Sequence, residues 1–124
     1  MYLLDTHAII WYVSGYNELS PLAREIMETK HCFFSLVSLW EIAIKQMKGS
    51  LEFEISLPRL KSVLENEGFL YLHPNEHDIE RIKTLPDIHK DPFDKLPIAQ
   101  ALENDLTIIT RDTKIANYDV KTIW

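Results

Sequence analysis

Four carboxylates stand in short stretches that set them apart from the other acids of the chain. Asp5 lies in Leu3-Leu4-Asp5-Thr6-His7, and Glu41 in Ser38-Leu39-Trp40-Glu41-Ile42-Ala43-Ile44-Lys45. Asp94 follows Asp91 in Asp91-Pro92-Phe93-Asp94-Lys95, and Asp112 closes Thr110-Arg111-Asp112. Gathered in one low-dielectric cleft, four such groups would repel one another strongly unless cations held them. Oxygen-only donors select hard divalent ions, Mg²⁺ or Mn²⁺. One or two such ions can activate a water, hold a phosphodiester oxygen and stabilise the leaving alkoxide. No Cys or His cluster has zinc spacing. Each acid also has an ordinary structural use. Asp5 and Asp112 can cap helical turns, Ser38 with Glu41 matches a capping box, and Glu41 with Lys45 matches a surface pair. Asp94 reads as the N-cap of a helix that has Pro97 in its first turn. Yet Glu41 is flanked by Trp40, Ile42, Ala43 and Ile44, odd company for a purely solvated charge.

The elements that would position these acids alternate between strand and helix. Tyr2 to Leu4 reads as a short buried strand, followed by a helix over 7–13 that Ser14-Gly15 stops. Ser20-Pro21 opens a helix to about Thr29, and Cys32 to Phe34 is a second apolar strand. A long helix over roughly 37–48 closes at Gly49. Leu51 to Leu57 alternates, which suits a short exposed strand or an extended connection. Pro58 starts a helix up to Gly68, Phe69 to Leu72 is a strand, and Asn75 caps a helix to about Leu85. The Asp94 helix runs to about Asn104. The β-branched strand Leu106 to Ile109, a helical turn and a last strand from Val120 to Ile123 complete the chain. This alternation predicts an α/β fold with a mainly parallel central sheet and right-handed crossovers, in one domain over 1–124. Ligands of such sheets bind at the carboxyl ends of the strands. Asp5 and Asp112 should emerge there, and a helix N-terminus bearing Asp94 faces the same edge.

Composition narrows the function further. A 46% hydrophobic and 26% charged chain is ordinary for a globular protein. The net charge of −6 argues against nucleic-acid binding through a broad basic surface, but leaves room for a local site where metal ions screen the acids. Cys32 has no cysteine to pair with, suits a reducing compartment and reads as a buried structural thiol. The N-terminus lacks the basic start of a signal peptide, and no apolar run is long enough to span a membrane, so a cytoplasmic location without a membrane partner is expected. None of the glycines lies in a phosphate-cradling loop. Trp11 and Trp40 sit at helical spacing and are expected in the core rather than against bases. Histidines 7 and 89 adjoin the motifs, but a metal-activated water needs neither as a base.

With all four segments in view, the chain resembles the PIN-domain ribonucleases, and among them the VapC-type toxins of bacterial toxin–antitoxin modules. The resemblance covers nearly the whole chain in order: the Asp5 and Glu41 segments, then His89-Lys90-Asp91-Pro92-Phe93-Asp94-Lys95 with Ile98-Ala99-Gln100-Ala101, then Thr110-Arg111-Asp112 and a closing 118–124. It implies a three-layer α/β/α sandwich with Asp5, Glu41, Asp94 and Asp112 as catalytic metal-binding acids. Asp91 would be an auxiliary acid, and Thr6 and Thr110 would hydrogen-bond within the site. The activity implied is Mg²⁺- or Mn²⁺-dependent endonucleolytic cleavage of RNA, leaving a 5′-phosphate and a 3′-hydroxyl. An antitoxin protein would be the partner and a homodimer the assembly. Lys45, Lys90, Lys95 and Arg111 are candidates for phosphate contacts. Lys95 stands where the family usually has arginine, and Pro97 where it usually has leucine. Two alternatives remain at this point, a receiver-type phosphoacceptor domain and a catalytically silent module that keeps the fold for interaction.

Overall fold

In the computed structural model, which describes residues 1–15 and 17–124, short apolar strands build a five-stranded sheet in the order β3-β2-β1-β4-β5. The strands are β1 Tyr2–Leu4, β2 Cys32–Ser35, β3 Leu70–Leu72, β4 Thr107–Ile109 and β5 Thr122–Ile123, and every neighbouring pair is parallel. Leu3 at the centre is in register with Phe33 on one side and Ile108 on the other. Because strand side chains alternate, Leu4, Phe34 and Ile109 face one layer and Leu3 and Ile108 the other. Near-continuous apolar strands are what a parallel sheet covered on both faces requires.

The first layer holds α1 Thr6–Ser14, α2 Pro21–Thr29, α3 Leu36–Met47 and α4 Leu57–Asn66, packed through Ile9, Ile26, Ile42, Leu60 and Leu64. The chain then passes through α5 Glu76–Ile82 to α6 Pro92–Glu103, whose Ile98 and Ala101 cover the other face. The sheet is thus laid down outward from β1 to β3 and then from β4 to β5 on the far side of β1. Reversing direction while keeping right-handed crossovers puts the later helices on the opposite face. The reversal makes the carboxyl ends of β1 and β4 the switch point where open parallel sheets bind ligands.

The expected α/β sandwich is therefore present, with several local differences. Of the two readings open for 51–57, the extended connection is the one found, over residues 51–56; Leu51, Phe53 and Ile55 pack against the core without a ladder partner. The α5 helix stops at Ile82, because the next three amides bond back three residues, Leu85 N to Ile82 O among them, and tighten the chain into turns. A turn from Val120 N to Tyr118 O delays β5 to Thr122. Cys32 is buried as expected, and burial pushes its thiol up to about 11. No described helix is long and apolar enough to cross a membrane.

The start of α6 corrects the sequence expectation. Asp91, not Asp94, is the N-cap: its Oδ1 accepts from Phe93 N at 2.9 Å, and Pro92 takes the first helical position. A residue before proline is driven to extended backbone, as a cap needs, and Asp91 has φ −77° and ψ 120°. Asp94 moves into the first turn, with its side chain released from capping. Pro97 consequently lies beyond the first turn and deprives the Phe93 carbonyl of its usual helical donor. Asp91→Ala should lower unfolding stability by about 1 kcal/mol in urea titrations. A larger loss from Asp94→Ala than from Asp91→Ala would contradict this cap.

Candidate active site

The carboxyl end of β1 delivers Asp5 directly into the N-cap of α1. Its Oδ1 accepts from Thr6 N at 2.8 Å, and its Oδ2 accepts from the Thr110 hydroxyl at 2.8 Å. Thr110 follows β4, and its Oγ1 also accepts from Asp112 N at 3.0 Å. Asp112 in turn accepts from Lys114 N at 2.9 Å, a local turn ahead of the helical turn Ile115–Asn117, which has Lys114 and not Asp112 at its N-cap. Thr6 donates from Oγ1 to Glu41 Oε1 at 2.8 Å, and the same oxygen lies 3.0 Å from Ser38 Oγ. Ser35 caps α3, so the capping box expected of Ser38 and Glu41 does not form and both side chains turn to α1. Buried Thr6 and Thr110 thus link three acids from three segments.

Asp94 reaches the same place from α6. A cavity of ≈ 370 Å³ is lined by Asp5, Glu41, Asp94 and Asp112, with His89 and Arg111 among its other walls. The helices bearing Glu41 and Asp94 are tied at this edge by Ser35 Oγ, which donates to buried Gln100 Oε1 at 2.6 Å. Desolvation raises the Asp5, Glu41 and Asp94 carboxyls above the usual range. Hydrogen bonds from Thr110 and Thr6 oppose the shift at Asp5 and Glu41, and the charge of His89 opposes it at Asp94. Mutual repulsion adds to it, Asp5 acting on Glu41, and Asp112 on both Asp5 and Asp94. The four acids form one electrostatic group.

The donor chemistry of this group fits a hard divalent cation. Among the described residues, no three acidic, histidine or cysteine side chains stand close enough to enclose an ion. Such an open set suits Mg²⁺, which keeps several waters and takes one or two carboxylates together with substrate phosphates.

The other residues singled out in the sequence separate. Asp91 lies outside this cavity and lines an adjoining depression of ≈ 380 Å³ with Lys45 and Lys48; Glu41, Phe93 and Asp94 border both. Lys95 is turned to Asp87, Nζ to Oδ1 at 2.6 Å, with its side chain only 12% exposed. Lys90 is exposed and lines neither space. Arg111 does line the acid cavity. His89, set aside in the sequence, lines it too: its Nε2 is 3.9 Å from Asp112 Oδ2, and Tyr118 holds the ring by a 3.2 Å contact to Nδ1 and by stacking. Its position immediately before the Asp91–Asp94 segment was the available signal. Trp11, expected in the core, packs against it only in part and also faces the cavity.

A doubly covered parallel sheet with acids at its switch point defines a class of site, and the family follows. The family model for the PIN domain matches residues 2–121, and the chain belongs to that family. This excludes the receiver alternative, whose strand order would be 2-1-3-4-5. No curated protein matches the chain. Among solved structures, it is similar to a chain of a toxin–antitoxin complex from Klebsiella pneumoniae, with 22% identity and a TM-score of 0.70 over 100% of this chain and 97% of that one. VapBC2 from Rickettsia felis, bound to a DNA fragment from its promoter, gives 12% identity and a TM-score of 0.70 over 98% and 96%. FitAcB from Neisseria gonorrhoeae gives 20% and 0.66 over 100% and 97%.

The raised Asp5 carboxyl has a measurable consequence in metal-free protein. Folding favours its protonated form, so that contribution to stability is full below the ordinary aspartate range and is lost as pH rises through the higher folded value. Asparagine is neutral throughout and still caps a helix. The melting temperature of Asp5→Asn minus that of the wild type, both in chelator, should therefore increase from acidic to neutral pH. A flat or falling difference would contradict the burial assigned to this charge.

Proposed function

We propose that the chain is a Mg²⁺- or Mn²⁺-dependent endoribonuclease of the VapC type, the toxin of a toxin–antitoxin module. The observation that carries the reading is the meeting of Asp5, Glu41, Asp94 and Asp112, from four separate segments, in one cavity where burial and mutual repulsion favour a bound cation. Membership of the PIN family supports nuclease chemistry, and likeness to chains from toxin–antitoxin complexes supports the toxin role and a protein antitoxin as partner. The same reading puts the protein in the cytoplasm.

In this mechanism Asp5, Glu41, Asp94 and Asp112 would be the carboxylates that hold one or two ions. When bound, these would supply an activated water and positive charge for the phosphate and the leaving oxygen. Thr110 and Thr6 keep Asp5 and Glu41 oriented, each through a hydroxyl hydrogen bond of 2.8 Å. Arg111 and, across the shared border, Lys45 offer positive charge on either side of the acids, where an RNA backbone would run. Lys95, engaged with Asp87, serves this segment as a local ion pair. Hydrolysis in this manner leaves a 5′-phosphate and a 3′-hydroxyl.

The family resemblance also implies a homodimer. An apolar stripe along α3 offers a surface for it: Leu36, Trp40 and Met47 share one helical face and are 40%, 57% and 85% exposed. Light scattering, which reads the mass in solution, tests that assembly.

Incubation with RNA should give cleavage that requires Mg²⁺ or Mn²⁺ and stops in chelator. Asp94→Asn should reduce the rate by about 100-fold or more, since loss of a metal ligand exceeds the usual effect of removing its supporting partner. Cleavage unaffected by chelator would remove the metal from the mechanism, and full activity in Asp94→Asn would remove that residue. No cleavage of any RNA would make the chain a silent PIN-fold interaction module.

A further inference from the structure

At the rim of the acid cavity the guanidinium of Arg111 lies over Trp11, with Cζ 4.4 Å from the ring centroid. Trp11 is held from behind, partly buried against the core and edge-on to Trp124 at 5.6 Å and 67°. The exposed ring of His7 stands beside it at 5.4 Å. Among the described residues, Arg111 makes no hydrogen bond or ion pair, although Asp112 is its chain neighbour. With its Cζ over the indole and its side chain exposed, Arg111 keeps its donors and its far side open. The donors suit a phosphate or a base edge, and the far side suits a second flat ring.

We propose that Trp11 and Arg111 form a base-stacking step beside the carboxylates. The nucleobase next to the scissile phosphate lies on the outer face of the Arg111 guanidinium, with Trp11 beneath it and the phosphate toward Asp5 and Asp112. The identity of the strand rests on the nuclease reading above; the step itself rests on the geometry of the rim. A base can reach this face only when it is out of a duplex, so the step selects an unpaired nucleotide at the cleavage position. Stacking uses the π-face that every base has, so it senses that a base is present before it senses which one. Lysine at position 111 would keep the charge and lose the plane.

The test uses a cleavable oligoribonucleotide and a matched copy in which the nucleotide beside the scissile phosphate is abasic. The abasic copy should be cut with kcat/KM about tenfold lower by the wild type, the scale of one lost stack. Arg111→Lys and Trp11→Leu should cut the two copies alike, and Arg111→Lys should retain the wild-type salt dependence. In parallel, Trp40→Phe with Trp124→Phe leaves Trp11 as the remaining tryptophan. In chelator, its fluorescence should be quenched by the intact oligonucleotide and less by the abasic one. Cleavage indifferent to the abasic position, or an equal abasic penalty in the wild type and Arg111→Lys, overturns the stacking step and leaves the nuclease standing. Base-dependent quenching without cleavage upholds the step and overturns the nuclease.

Discussion

Two threonine hydroxyls, each 2.8 Å from a carboxylate, set the terms on which acids can occupy the carboxyl edge of this sheet. Thr6 and Thr110 are buried, and each donates a hydrogen bond to an acid whose ionisation burial opposes. Without such donors Glu41 would lose the Thr6 hydroxyl and Asp5 would keep only the Thr6 backbone amide, where water is scarce. With them the charges are oriented but not neutralised, since Asp112 still acts on Asp5 and Asp94, and Asp5 on Glu41. The remaining imbalance is what a divalent cation would relieve.

The fold makes this arrangement tolerable by concentrating it at one edge. Leu3 and Leu4 are fully buried in opposite layers, so the strand that ends in Asp5 is fixed from both faces. Packed cores permit little adjustment, which keeps the Asp5 and Thr110 side chains in register across β1 and β4. The buried Ser35–Gln100 hydrogen bond does the same for α3 and α6. The desolvated acids thus sit at the end of elements packed on both faces of the sheet.

Much of this was legible in the sequence because it depends on short-range chemistry. Apolar triplets flanked by caps and glycines identify the strands and helices. Asp5 and Asp112 follow strands, so the carboxyl-edge rule places them without knowledge of packing. What escaped depends on contacts distant in sequence or on competition between neighbouring signals. Asp91 and Asp94 were both competent caps, and Pro92 decided between them by constraining the residue before it. Lys95 carries the charge for a phosphate contact, but Asp87, eight positions away, holds it. His89 gains its place through Tyr118, and Trp11 its exposed face through the cavity, neither of which a motif encodes.

The central claim is that the four carboxylates act together as a cation site, and calorimetric titration of the chelator-treated protein with Mn²⁺ at neutral pH addresses it most directly. Saturable binding of one or two ions per chain is expected, and it should weaken in Asp5→Asn and again when Glu41→Gln is added. Absence of saturable binding in a folded wild-type protein, or binding untouched by both substitutions, would contradict it.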